Sequence, residues 1–169
     1  MSTETNLTIS PDAVVIADAI LHGRITIGPC TIIHPKAKID AKDGEIIIGG
    51  YNIVEETAII ENMQGKETMF IGNDNLFEIG SVCQAKKVGD CNVFGIKCIV
   101  GPKTEISDGC RVGAKCKVLS DGEVHPLTVI HFENMEKTAL EKPSGQKSQA
   151  EFLKRLLPKY SLSLQNSKK

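Results

Sequence analysis

The sequence contains few aromatic residues and no long apolar run. There is no Trp among the 169 residues, and only five Phe and two Tyr occur, so the core must be mainly aliphatic. No apolar run approaches the roughly 18 residues of a membrane-spanning helix. The first residues, MSTETNLTIS, have neither the basic region nor the apolar segment of a secretory signal. We therefore expect a soluble, cytosolic protein with a single aliphatic core.

The carboxyl-terminal part lacks β-branched aliphatic residues. All 20 Ile and 11 Val lie at or before Ile130, whereas six of the 11 Leu follow residue 132. Ile and Val favour strands, so this distribution excludes a uniform helical bundle. Residues 1–132 carry 12 Lys and Arg against 17 Asp and Glu (net −5), and residues 133–169 carry 8 against 4 (net +4). The chain therefore divides into two unlike segments, and the basic one is either a solvated polar tail or an interaction tail.

An aliphatic residue recurs every six residues through the first segment. The frame holds 20 positions, of which 17 are Ile, Leu or Val. An α-helix cannot keep such a stripe on one face, because six residues turn it through about 600°. A six-residue period is typical of a parallel β-helix, whose short strands lie on flat faces and pair with the next turn. The frame positions are Ile9, Val15, Leu21, Ile27, Ile33, Ile39, Ile48, Val54, Ile60, Ile71, Phe77, Cys83, Val88, Phe94, Val100, Ile106, Val112, Val118, Val124 and Ile130.

Hexapeptide-repeat families, which this pattern resembles, build a triangular left-handed prism from three hexads per turn. On that basis we expect residues 1–132 to form about six to seven turns, roughly 30 Å long. Extra residues follow the sixth and ninth hexads, and a residue is missing after the twelfth, so every irregularity is expected at one edge. The segment 61–70 is expected to project from that edge as a plain excursion or a partner contact. The predicted core ladder includes Ile27, Ile33, Val54, Ile71, Phe77, Phe94, Val100 and Val112.

Glycine and small residues occupy fixed places in the hexads. Seven of the 20 frame residues are followed by Gly, which we interpret as supplying the backbone angles of a corner. Four places after the frame position the residue is often small, so large and small side chains alternate inward. Cys98, Cys110 and Cys116 occupy that small position, and no C-x-x-C motif occurs. We interpret these cysteines as packing groups, and we expect neither a disulfide nor a metal site.

The second segment predicts a linker, a helix and a tail. Residues 133–147 are polar and contain Pro143, which favours a linker. Residues 148–160 predict a helix that starts at a capping box, with Ser148 as the cap, and ends at Pro158. Residues 161–169 predict a flexible basic tail. The helix is too short to be stable alone, so it must dock on a prism face or on another protein, through Ala150, Leu153, Leu156 and Leu157.

The four histidines do not form a cluster in this frame. His22, His34, His125 and His131 each follow a frame position directly, and none shares a corner with another on an adjacent turn. A γ-class carbonic anhydrase needs three His around zinc, and a hexapeptide acyltransferase resemblance would call for a catalytic His in a long loop, which segment 61–70 lacks. No nucleophile elbow or phosphate-binding loop occurs either. We therefore expect no catalytic residues, no metal and no cofactor.

Three stretches resemble one family within the hexapeptide-repeat, left-handed β-helix proteins. They are TIGPCTIIHPKAKI (26–39), IGNDNLFEIGSVCQAKKVGDCNVF (71–94) and FLKRLLPKY (152–160), and together they are similar to the dynactin subunit 6 family. That resemblance implies a non-enzymatic scaffold or adaptor subunit of the dynactin pointed-end complex, which supports dynein-driven cargo transport on microtubules. It implies a cytoplasmic, cytoskeleton-associated location, with the kinetochore as a further site.

The resemblance also implies specific partners. They are the related β-helix dynactin subunit 5, the subunit-4 component and the pointed-end actin-related protein, with no nucleic acid and no membrane insertion. The alternative function is a homotrimeric hexapeptide-repeat enzyme, either carbonic anhydrase-like or acyltransferase-like. Stoichiometric zinc in a homotrimer would favour that enzyme over the scaffold.

Overall fold

The chain is a parallel β-helix with one carboxyl-terminal helix. The computed structural model describes residues 4–132 and 135–160, apart from the side chains of Met135, Lys159 and Tyr160. Its elements are β1 (Asn6–Ile9), β2 (Val14–Val15), β3 (Ile20–Ile27), β4 (Ile32–Ile33), β5 (Lys38–Ile48), β6 (Ile53–Val54), β7 (Ile59–Glu61), β8 (Thr68–Ile71), β9 (Leu76–Phe77), β10 (Val82–Cys83), β11 (Lys87–Val88), β12 (Val93–Phe94), β13 (Ile99–Val100), β14 (Thr104–Ile106), β15 (Arg111–Val112), β16 (Lys117–Val118), β17 (Gly122–Val124), β18 (Thr128–His131), β19 (Met135–Thr138) and α1 (Lys147–Tyr160).

The strands form three flat faces, and each face carries one ladder of frame residues. Face 1 stacks Ile9, Ile27, Ile48, Ile71, Val88, Ile106 and Val124 in register. Face 2 stacks Val15, Ile33, Val54, Phe77, Phe94, Val112 and Ile130. Face 3 stacks Leu21, Ile39, Ile60, Cys83, Val100 and Val118. All three hexads of a turn therefore point to one axis, and the chain makes nearly seven turns.

The frame residues fill the interior of the prism. Most of them are 0–4% exposed, because a period-two strand that buries its frame residue turns the next residue outward. Phe77 and Phe94 stack at the centre of face 2, with ring centroids 4.6 Å apart and planes 2° from parallel. The predicted core ladder lies in this interior, and the three small cysteines lie there as well.

Glycine at the corners allows neighbouring turns to approach each other closely. It does not supply the left-handed backbone angles that the sequence-based interpretation expected. The glycines that follow frame residues do not have positive φ. A Cβ built on Gly49 would lie 2.7 Å from the carbonyl oxygen of Gly72 on the next turn, so any larger residue would push the turns apart. Positive φ falls two places later, for example at Tyr51 and Lys97. The left-handed corner position thus accepts several residue types, while glycine at positions such as Gly49 allows neighbouring turns to approach closely.

All irregularities lie at the edge between face 3 and face 1, as the sequence predicted. In the pairing of β3 with β5 the register shifts after His22, so that residues 41–44 of β5 have no paired residue in β3. The loop of turn 3 covers residues 62–67, because Glu61 and residues 68–70 belong to strands. It does not project freely as expected, since Gln64 Nε2 donates to the Pro102 carbonyl 2.9 Å away. The shortened corner between Cys83 and Val88 lies between the turn that contains Gln64 and the turn that contains Pro102, and the loop spans this corner.

The segment predicted as a linker contains the strand β19 and an irregular stretch, residues 139–146, which we call the strap. β19 pairs antiparallel with β18, the last rung of face 2. Residues 139–146 then return along the corner between faces 1 and 2, where Lys142 lies beside Gly109 and Gly145 lies beside Asp74. Polar composition signalled a linker, yet the strand forms because β18 would otherwise leave an unpaired edge.

The helix begins and ends differently from the prediction. It starts at Lys147, and the Gln146 carbonyl accepts the Ala150 N–H at 2.8 Å, so Gln146 is the cap and Ser148 lies inside the first turn. Pro158 lies within the last turn, where it removes only one hydrogen bond of the helix. No helix in residues 4–132 and 135–160 is long and apolar enough to cross a membrane. The predicted tail, residues 161–169, lies outside the described residues.

Candidate functional site

The carboxyl-terminal helix lies on the outside of face 2. Ala150 is fully buried in a cluster with outward-facing Val14, Ile32 and Ile53, and Leu153 and Leu157 pack at its margin. Leu156, the fourth residue of the predicted docking face, is half-buried and is not part of that cluster. The apolar stripe of the helix therefore covers the apolar outer stripe of the first turns of face 2.

Polar contacts set the direction of the helix along the prism. Lys147 Nζ lies 5.3 Å from the ring centroid of Tyr51 in turn 3. Lys154 Nζ donates to Asp12 Oδ1 in turn 1 at 2.7 Å. The helix therefore runs toward the amino-terminal end of the prism, and its last turn lies beside the first rung.

A cluster of charged and polar side chains lies along the irregular edge between faces 3 and 1. His22, Asp40 and Glu61 occupy equivalent places in successive rungs and pair in register. Asp40 lies 3.1 Å from His22 Nδ1, 3.4 Å from Lys38 Nζ and 2.9 Å from Lys42 Nζ. Glu61 continues the ladder, since Lys38 Nζ lies 3.1 Å from its Oε1 and Gln84 donates to its Oε2 at 2.9 Å.

The cluster keeps both carboxylates ionised. Burial alone would raise the pKa of Asp40, but hydrogen bonds from Lys42 and His22 lower it well below the ordinary range. Burial also acts to raise the pKa of Glu61, and the hydrogen bonds from Gln84 and Lys38 outweigh it, so the net shift is downward. The hydrogen bond to Glu61 raises the pKa of Lys38 in turn. These ion pairs and charge-assisted hydrogen bonds stabilise the irregular edge between faces 3 and 1.

Sequence reasoning missed this cluster, although a signal for it exists. His22, Asp40, Glu61 and Gln84 each directly follow a face 3 ladder residue. A histidine one turn from a carboxylate can pair with that carboxylate, not only with another His. The rung spacing of about 4.8 Å places such residues within hydrogen-bonding reach.

A second polar ladder, also missed, lies inside the corner between faces 1 and 2. Asn75 Nδ2 donates to Asn52 Oδ1 at 3.0 Å, and Asn75 Oδ1 accepts the Asn92 N–H at 2.9 Å. Asn92 Oδ1 accepts the Cys110 N–H at 2.7 Å. These residues share the small inward position of the hexad, so the amides bridge the backbones of successive turns.

The described histidine and cysteine side chains lie apart from one another or buried in the core. Among residues 4–132 and 135–160, no three His, Cys, Asp or Glu side chains are placed to hold a metal ion. All six cysteines are free thiols. Burial raises the pKa of Cys83 and of Cys98 to about 12 each, so both stay protonated and unreactive at neutral pH. Burial is also the main cause that lowers the pKa of His34.

Exposed apolar side chains mark the surfaces suited to protein contact. Ile79 is 46% and Ile96 is 44% exposed, at the corner between faces 2 and 3. At the amino-terminal end the inward-facing Leu7, Ile9 and Leu21 are only partly buried. The corner that carries Ile79 and Ile96 and the amino-terminal end are therefore candidate contact surfaces among the described residues.

Curated relatives match the chain over nearly its full length. It is 39% identical over 169 residues to dynactin subunit 6 of Nematostella vectensis, covering 94% of this chain and 92% of that one. It is 39% identical to dynactin subunit 6 of Xenopus tropicalis, covering 92% and 83%. It is 34% identical to dynactin subunit 6 of Caenorhabditis elegans, covering 95% and 89%. No family model matches the chain.

Two solved structures with the same fold carry the description of a transferase or putative acetyltransferase. A hexapeptide transferase family protein from Anaplasma phagocytophilum superposes with a TM-score of 0.74 at 16% identity, covering 91% of this chain and 92% of that one. A putative acetyltransferase from Bacillus cereus gives a TM-score of 0.60 at 18% identity, covering 88% and 86%. At such identities the likeness concerns the fold alone. The left-handed hexapeptide β-helix predicted from the sequence is thereby confirmed.

Proposed function

The chain belongs to the dynactin subunit 6 family, and from that premise we propose that it is a non-catalytic scaffold subunit of the dynactin complex. In this role it contributes to the pointed-end complex and supports dynein-driven cargo transport on microtubules. The observation that carries the proposal is the identity of 34–39% over nearly the whole chain. That identity spans both the prism and the terminal helix.

The construction of the prism supports a scaffold role. Its interior is filled by stacked frame residues, with Phe77 and Phe94 at 0% exposure. Short hydrogen-bonded turns, close glycine contacts and two polar ladders make neighbouring turns rigid with respect to each other. A rigid body with flat faces and exposed apolar residues can hold other proteins at a fixed spacing.

The proposed partners are other dynactin subunits. They are the related β-helix dynactin subunit 5, the subunit-4 component and the actin-related protein at the pointed end. The proposed location is cytoplasmic and cytoskeleton-associated, with the kinetochore as a further site. Fluorescence microscopy of the tagged chain tests the location. A diffuse signal that does not coincide with microtubules or with dynactin would contradict it.

Affinity purification tests the function directly. The tagged full chain, expressed in its own cells, is expected to recover dynactin subunits in stoichiometric amounts. The molecular mass of the purified chain in solution and its metal content are then measured. A homotrimer with stoichiometric zinc, or recovery without any dynactin subunit, would refute the proposal in favour of the enzyme alternative.

A further inference from the structure

Face 3 carries an apolar stripe on its outer side. Ile59, Val82 and Ile99 each precede a frame residue and pair in register on turns 3, 4 and 5, and we call these three residues the face 3 stripe. All three are half-buried. In residues 4–132 and 135–160 no helix covers the stripe, because α1 lies on face 2. The outward residues in the last turns of face 1 are instead charged, namely Lys87, Glu105 and Glu123.

Two more isoleucines border the stripe at the corner between faces 2 and 3. Ile79 in turn 4 is 46% exposed and Ile96 in turn 5 is 44% exposed. Each is held by a carboxylate of the preceding turn. The Ile79 N–H donates to Glu55 Oε2 at 3.1 Å, and the Ile96 N–H donates to Glu78 Oε2 at 3.0 Å. The stripe and these two isoleucines form one apolar surface, which we call the face 3 patch.

The loop of residues 62–67 borders the other side of the patch. It leaves the edge between faces 3 and 1 after turn 3, and Gln64 Nε2 donates to the Pro102 carbonyl, which follows turn 5, at 2.9 Å. The loop therefore lies beside the same three turns as the stripe. Met63 in this loop is 48% exposed. The stripe is thus flanked by the loop on one side and by Ile79 and Ile96 on the other.

Face 2 shows which kind of element covers such a stripe. Its outward residues Val14, Ile32 and Ile53 also lie on three consecutive turns. They are 4%, 0% and 0% exposed, because the apolar side of α1 packs on them. The ends of the face 3 stripe are two rungs apart, about 9.6 Å, which is close to the ~10.5 Å between residues i and i+7 of a helix. An amphipathic helix therefore fits face 3 as α1 fits face 2.

The charges beside the patch are mainly basic. Residues 78–86, 95–103 and 113–121 contain face 3 and its two corners on turns 4 to 6, and they carry five Lys against one Glu and one Asp (net +3). All five lysines are exposed. Among the residues that the structure describes, Lys97, Lys103 and Lys115 take part in none of the ion pairs. A partner with acidic side chains would complement this charge.

We propose that the face 3 patch binds an amphipathic α-helix of another protein, one with acidic side chains beside its apolar residues. The apolar patch supplies the contact area, and the lysines on turns 4 to 6 select helices with acidic flanks. This surface is separate from the one that α1 covers. The inference goes beyond the proposed scaffold role and does not depend on membership of dynactin.

A second copy of the chain does not suit the patch. Two copies that meet at face 3 would bring two basic surfaces together, so like charges would repel. The helix α1 of a second copy does not suit it either, because its apolar side already packs on face 2. Its charged residues are also mainly basic, and they include Lys147, Lys154 and Arg155.

Two designed helical peptides test the patch. They share one apolar stripe at positions i, i+4 and i+7, and the flanking positions are Glu in one peptide and Lys in the other. Fluorescence anisotropy measures the binding of each labelled peptide to the full chain. We expect the Glu peptide to bind at least tenfold more tightly than the Lys peptide. Failure of both peptides to bind, or binding of the Lys peptide at least as tight, would overturn the proposal.

Matched substitutions then locate the binding site. Ile99→Asp changes the stripe and should weaken binding of the Glu peptide at least tenfold. Ile47→Asp, at a half-buried outward isoleucine of face 1, should alter it less than twofold. Lys115→Glu, at an exposed position, should weaken binding at least threefold, whereas Lys87→Glu on face 1 should alter it less than twofold. Thermal melts first establish that each variant is folded, and the Lys115→Glu pair decides the question if Ile99→Asp does not fold. Equal effects of test and control variants would contradict binding at face 3.

Photo-crosslinking and sedimentation distinguish the remaining occupants. A photoreactive group on the apolar side of the Glu peptide should label residues 79–99 of the unmodified chain. Labelling confined to residues 14–53 would mean that the peptide displaces α1 from face 2, and it would overturn the proposal. Self-association of the unmodified chain that Ile99→Asp abolishes would overturn the choice of occupant.

The two proposals fail in different ways. Affinity purification without any dynactin subunit refutes the scaffold proposal and leaves the peptide measurements unaffected. Failure of the peptides to bind refutes the face 3 patch and leaves the purification result unaffected.

Discussion

Replacing Phe77 by alanine tests whether the six-residue frame points into the core. Phe77 is 0% exposed and stacks on Phe94 at 4.6 Å, so its removal leaves a cavity that the rigid turns above and below cannot close. A buried Phe truncated to Ala typically costs 3–5 kcal/mol, so we expect about 4 kcal/mol here. For a domain of this size that corresponds to a fall in Tm of roughly 10 °C.

Phe70 provides the matched control, because it lies in the same turn on the outward side of face 1. Its side chain is 50% exposed, so Phe70→Ala loses a cross-strand contact worth about 1 kcal/mol or less. Urea unfolding followed by circular dichroism measures both variants. Equal losses for Phe77→Ala and Phe70→Ala would refute the inward assignment of the frame. A double variant with Phe94→Ala is expected to show a coupling of about 1 kcal/mol from the ring stack.

Two further predictions concern the helix and the polar edge. Ala150→Asp buries a charge against Ile32 and Ile53, so it should release α1 from face 2 and increase binding of the dye ANS. Gln149→Asp, at an exposed position, should not change dye binding. Unchanged dye binding by Ala150→Asp would contradict the docked helix. The pKa of Asp40 and of Glu61 is lowered in the fold, so their stabilisation is present above their ordinary pKa and is lost as the pH falls through the acid range. Between pH 6 and 3 the free energy of unfolding should therefore drop by about 1 kcal/mol less in Asp40→Asn than in the unmodified chain, and an identical pH dependence in the two would count against the edge cluster. Asp121→Asn, at an exposed carboxylate elsewhere, serves as the control.

Much of the fold could be predicted because the period of the sequence is the period of the structure. Every frame residue, from Ile9 to Ile130, lies on the ladder that the count of hexads assigns to it. The breaks after Ile39, Ile60 and Cys83 locate the irregular edge for the same reason. These features are local in sequence, since each depends only on the distance to the next hexad.

Contacts that the six-residue period does not describe could not be predicted in this way. β19 forms by pairing antiparallel with the neighbouring β18, although residues 135–138 have the polar composition of a linker. The Gln64 side chain reaches Pro102 across a shortened corner, which only the stacking of turns reveals. The helix starts at Lys147 rather than Ser148 because Gln146 is buried at the strap.

The sequence by itself determined which side chains point into the prism, because a six-residue repeat of aliphatic residues cannot stay on one face of an α-helix and is typical of a parallel β-helix. The three faces of the prism were expected from the resemblance to hexapeptide-repeat families. Tertiary structure decided how the ends and edges of the prism are finished. The helix covers the first turns of face 2 because of contacts between residues far apart in the chain, such as Lys154 and Asp12, and β19 covers the last rung of face 2 by pairing with β18.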